Sequence, residues 1–228
     1  MNEGGEAILR CLRQVAAERA RRAQDAALAA RVSGVKRYQH ARFERTYADL
    51  LASPRYVRAA RFFLADLYGP GDFTRRDSEF ARIVPGLVRL FPDELVATVG
   101  SVASLHALSE QLDSAMGGVC GDAEPLGHDA YGAAWRQVGR PADRERQIAL
   151  MLEVGQALDR YTRKPLLRQS LRLMSGPARA AGLETLHAFL VSGFETFGEM
   201  RGAEEFLGTI ASRERMLAAA LFGGGMAD

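Results

Sequence analysis

The run Phe62-Phe63-Leu64-Ala65-Asp66-Leu67, closed by Tyr68-Gly69-Pro70, constrains the fold more than any other part of the chain. A Gly-Pro step ends a helix, because proline lacks the amide donor and disfavours the α conformation in the residue before it. Upstream, helical spacing puts Tyr56, Ala60, Phe63 and Leu67 on one face, flanked by Val57 and Leu64. Phe62 falls on the other side, among Arg55, Arg58 and Asp66. A helix that is apolar nearly all the way round must be covered on several sides. This rod is therefore expected at the centre of the fold, with Phe62 and Phe63 buried.

The other long segments also read as helices, with apolar residues at three- and four-residue steps. Residues 5 to 32 form an alanine- and arginine-rich helix whose small side chains promise only a thin contact, interrupted at Ser33-Gly34. A second helix runs to about Leu51, and Ser53-Pro54 caps a third. Thr74 and Asp77 are spaced like a capping box for a fourth, which Pro85 should bend or split. Pro92 opens a long helix that ends at Gly117-Gly118, and a short helix around 131–138 holds Trp135. Pro141, Pro165 and Gly176-Pro177 mark later boundaries. The expected fold is all-α, about eight helices around one core. Residues 1–33 form a helix that docks on the body or on a partner, 34–222 the main domain, and 223–228 a disordered tail.

The chain has 228 residues, 47% of them apolar, which suffices for a sizeable core. Its 30 basic and 28 acidic residues nearly cancel, so a dedicated nucleic-acid surface is not expected. No apolar run is long enough to span a bilayer, and Cys11 and Cys120 have no metal-ligand spacing. A cytoplasmic protein with no membrane role is expected.

The stretch Arg61-Phe62-Phe63-Leu64-Ala65-Asp66-Leu67-Tyr68-Gly69-Pro70, with Asp72-Phe73, Arg76-Asp77 and Phe80-Ala81-Arg82-Ile83-Val84-Pro85, resembles the bacterial FFLEELY-motif proteins. The likeness extends from about Arg42 through Met116 and less distinctly to the end. Ala65 and Asp66 stand where that motif has its two glutamates. The resemblance implies a domain of unknown function, and no activity, substrate or cofactor.

Two groups of residues are candidates for a site. Phe62, Phe63, Asp66, Tyr68, Arg76 and Asp77 gather around the Gly-Pro turn as a structural or recognition cluster, in which Asp66 is expected to pair with Arg58 or with an arginine of the 75–76 turn. The second group consists of histidine-carboxylate pairs at helical spacing: His40 with Glu44, His106 with Glu110 and, one turn on, Asp113, and the Glu184-x-x-His187 pair. Brought together, His40, Glu44, His106, Glu110, Glu184 and His187 would suit iron or another transition metal between helices. The bland account of each is a histidine bonded to the carboxylate one turn away. There is no phosphate loop, nucleophile elbow or His-Glu-x-x-His. The leading expectation is a non-enzymatic module working through contacts with a protein partner or a second copy. The alternative is a metal- or small-ligand-binding bundle, in its oxidative form an enzyme.

Overall fold

The computed structural model describes residues 3–67, 71, 73–122 and 125–224, the side chains of Asp66 and Leu67 excepted. Among these residues there are twelve α-helices and no strand. They are α1 Glu3–Ala23, α2 Ala26–Thr46, α3 Ala48–Ala52, α4 Val57–Phe62, α5 Thr74–Leu90 and α6 Asp93–Val119, then α7 His128–Val138, α8 Pro141–Thr162, α9 Pro165–Leu173, α10 Ser175–Ala180, α11 Glu184–Met200 and α12 Glu204–Gly223. Helix α4 continues as a π-helical turn, Phe63–Leu67. The all-α expectation holds. Part of the excess over eight comes from α3 and α10, at five and six residues too short to show a periodic stripe, and part from α9, which Pro165 starts as a separate helix.

Two boundaries differ from the sequence reading for local reasons. The first helix breaks at Gln24-Asp25 and not at Ser33-Gly34, because the Asp25 carboxylate accepts a bond from the Leu28 N–H (2.9 Å) and caps α2. Ser33 and Gly34 then lie inside α2. Pro85 does not split α5, which runs unbroken from Thr74 to Leu90 while Phe80, Val84 and Leu87 anchor it on the core.

The rod sits where expected. Phe62 and Phe63 are 5% and 1% exposed, and they belong to a core built with Tyr47 at the α2–α3 junction and Leu150, Phe197, Phe206 and Ile210 from α8, α11 and α12. Phe62, the residue on the charged side, stacks on Phe189 of α11 at 5.5 Å. A second apolar cluster joins Ile8 and Leu12 of α1 to Phe80, Val84, Val96 and Leu186. So α1 is docked on α5 and α6 by larger side chains than its alanines, and the contact is not thin. A third cluster surrounds Val35, Met116, Tyr131, Trp135 and Leu221. Glycine sets the crossing of α2 and α6. A Cβ at Gly117 would lie 2.5 Å from Val32 Cγ2 and 3.1 Å from the Val32 backbone nitrogen.

Candidate functional site

The residues singled out by spacing fall in separate places. Tyr68, Asp72 and the Asp66 side chain lie outside the described residues, and so does the pairing expected for Asp66. Arg58 pairs with Glu199, and Arg75 with Glu79 at 3.0 Å. The Arg76 guanidinium lies over the Phe73 and Phe189 rings at 4.1 and 4.6 Å. His40 Nδ1 stands 3.8 Å from Glu44, on a half-open surface. Glu184 faces Arg179 at 3.7 Å, while the His187 ring donates from Nε2 to the Leu171 carbonyl of α9 (2.8 Å). The three histidine-carboxylate pairs are therefore not assembled. Among the described residues no group of three or more His, Cys, Asp or Glu side chains is arranged to hold a metal ion.

His106 and Glu110 do take part in a buried network, but with partners that spacing did not reveal. Thr74 is already helical and Phe73 holds the N-cap position, without a side-chain cap. Asp77 is thus released from the capping role expected of it. Its Oδ2 meets His106 Nε2 at 2.8 Å and Arg19 Nη1 at 2.9 Å. Burial pushes the Asp77 carboxyl up, yet His106 and Arg19 override it and hold it below the usual range. Glu110 binds Arg22 of α1 and accepts from Lys36 of α2 at 2.9 Å. Here too burial opposes ionisation, but Lys36 and Arg22 win and the carboxyl is lowered to about 2. Asp113, one turn further, has Gln39 at 3.1 Å and Lys36 at 3.7 Å. Burial dominates there, so its carboxyl is raised. Helices α1, α2 and α6 are clamped together by these charges.

Beside the network is a cavity of ≈ 70 Å³ walled by Lys36, Glu110, Asp113, Trp135 and Arg144 among others. Ligand pockets run to several hundred cubic ångströms, roughly 300–1,000. This space is of the scale of a few waters. Lys36 engages Glu110 and Asp113 there, and Arg144 lies over the Trp135 ring and donates to Gln147, which fits a packing and orienting role better than substrate binding.

The surface points elsewhere. Helix α9 buries no residue. Leu166 and Leu173, seven positions apart, are 77% and 79% exposed, and Met174, just past the end of α9, and Leu190 of neighbouring α11 are also exposed. Thus four of the seven large apolar side chains exposed among the described residues lie on or beside one short helix. Leu167 and Leu171 are half-buried, on the other edge. The helix is held by His187 on the Leu171 carbonyl and by the Arg172–Glu195 pair at 3.0 Å. Next to its start, an open groove of ≈ 460 Å³ between α8 and α12 has Leu152, Leu207 and Ala211 in its walls and Arg160 and Arg163 at its rim. Sequence reading treated Pro165 only as a boundary and missed this face. The available signal was a leucine-rich helix whose leucines, at 166, 167, 171 and 173, are too widely spread for one buried stripe.

Among the described residues no helix is long and apolar enough to cross a membrane. No curated protein and no solved structure matches the chain. A family model covers residues 18–227, from the end of α1 through the last helix, and the chain therefore belongs to the family described as Domain of unknown function (DUF8198).

Proposed function

We propose that this chain is a non-enzymatic contact module whose working surface is α9 and its surroundings. The single observation that carries the reading is the exposure of Leu166 and Leu173 on a helix with no buried residue. Leaving such side chains in water forgoes about 1.5–3 kcal/mol each, and clustered exposed apolar residues mark interaction sites. Polar anchoring by His187 and Glu195 presents the helix without needing those leucines.

The Phe62-to-Pro85 pattern supports placing the chain with the bacterial FFLEELY-motif proteins. A reducing cytoplasm suits Cys11 and Cys120, both free thiols. The near balance of charge supports a protein partner over a nucleic acid.

The test is photocrosslinking in living cells from benzoylphenylalanine placed at position 173, with position 10 of α1 as a control. The expected result is a discrete adduct with one other protein from position 173, absent from position 10 and lost when Leu166→Asp is added. No adduct, or equal adducts from both positions, would overturn the proposal.

A further inference from the structure

Granting that α9 is a contact face, its charge and spacing say what it takes. We infer that the occupant is a helical segment of another protein that carries carboxylates beside its apolar anchors. From Arg160 to Leu183 the chain contains Arg160, Arg163, Lys164, Arg168, Arg172 and Arg179, and no Asp or Glu at all. Arg168 is exposed, and among the described residues no ion pair engages it. The Lys164 ammonium has the Tyr161 ring, 5.6 Å from its centroid. Arg163 and Arg172 lean sideways on Asp159 at 2.6 Å and Glu195 at 3.0 Å, with 67% and 57% of their side chains exposed. Exposed pairs of this kind are weak and exchange readily with an incoming carboxylate.

The apolar spacing fixes the shape of the occupant. Leu166 and Leu173 are two turns apart on one edge of the helix, roughly 10 Å. A partner helix presents anchors with the same separation at its i and i+7 positions. Helical geometry sets Arg168 and Arg172 beyond Leu171 on the exposed side, roughly 100–160° round the helix from this edge. Carboxylates on the flank of the partner helix turned towards that shoulder would meet those guanidinium groups, which favour planar two-pronged contacts.

A flat anionic bilayer fits less well. Glu94, Asp159, Glu184 and Glu195 stand among the cations as their ion-pair partners, so an anionic surface laid over those cations meets like charge. A helix touches one strip and can avoid them.

The probe is a displayed library of random 16-residue peptides selected on the full-length protein, with Leu173→Asp and Arg168→Glu variants as counter-screens. The inference expects enrichment of Asp and Glu together with Leu, Ile or Phe at i, i+3 or i+4, and i+7. Peptides so selected should lose at least ~10-fold in affinity with either variant, and weaken as salt rises. Peptides that are basic or neutral yet still need Leu173 would overturn the acidic occupant and leave the contact face standing. Peptides indifferent to Leu173→Asp would remove the face as well. Sedimentation of the protein with phosphatidylserine vesicles, or a dimer that Leu173→Asp dissolves, would assign the surface to lipid or to a second copy and overturn the inference.

Discussion

Replacing Glu110 with glutamine should be strongly destabilising. The Glu110 side chain is 4% exposed and holds Arg22 and, at 2.9 Å, Lys36. Glutamine keeps the shape and removes the charge, leaving two cations of α1 and α2 partly buried against a neutral amide. The size follows from linkage. A carboxyl that titrates at about 2 when folded, against an ordinary value of 4.5, is held ionised by about 3 kcal/mol. Breaking a buried pair by removing one partner gives the same range, about 3–5 kcal/mol. The pH dependence has a definite sign. Because the folded carboxyl is lowered, its contribution is complete above the unfolded value and is lost as pH falls through the folded one. Urea denaturation of both proteins between pH 7 and pH 2 should therefore show a gap of about 3 kcal/mol at pH 7 that closes below about pH 4.5. A gap below about 1 kcal/mol at neutral pH, or one that persists unchanged at pH 2, would refute the reasoning.

Asp113→Asn should act in the opposite direction, because burial raises the Asp113 carboxyl. Its ionisation costs stability once pH rises through the unfolded value towards the folded one, so the variant should match wild type below about pH 3.5 and exceed it at pH 7 by urea denaturation. Gly117→Ala should cost about 1–3 kcal/mol in the same assay, since the Val32 backbone nitrogen, 3.1 Å from the added carbon, cannot swing aside. His187→Ala should leave the global melting temperature within about 2 °C of wild type. It should also speed amide hydrogen exchange across α9, whose Leu171 carbonyl it releases.

The architecture was legible wherever a side chain's role is set by its own helix. The rod was readable because Phe62, Phe63 and Leu64 point to three sides of it and leave only the strip of Arg58, Arg61 and Ala65 exposed, and proline at 141 and 165 marked the starts of α8 and α9 by its missing amide donor. The network around Glu110 was half legible. Spacing aligned His106, Glu110 and Asp113 on α6, but their partners Asp77, Arg22 and Lys36 come from 29, 88 and 74 residues away. A single helix's periodicity contains nothing about such partners, so one-turn pairing was the wrong default for His106. Asp25 was overlooked because a lone carboxylate in a run of alanine and arginine looks like any surface charge until its cap geometry is seen. Glu79 was missed for a related reason. It is buried and accepts from the Leu186 N–H at 2.7 Å, neutralising the start of α11 across 107 residues of chain. The α9 face was hidden because sequence reading asks what a leucine packs against, and Leu166 and Leu173 remain more than three-quarters exposed.

The claim that these leucines are presented to a partner and do not hold the fold is tested most directly by the melting temperature of Leu166→Asp/Leu173→Asp. Solvent-facing leucines in a basic segment should yield to aspartate without loss, so the double variant should melt within about 1 °C of wild type or slightly above it. Buried leucines would each cost about 2–5 kcal/mol, and at about 2–4 °C per kcal/mol for a chain of this size the melting point would fall by more than about 4 °C. A fall of that size would contradict the account.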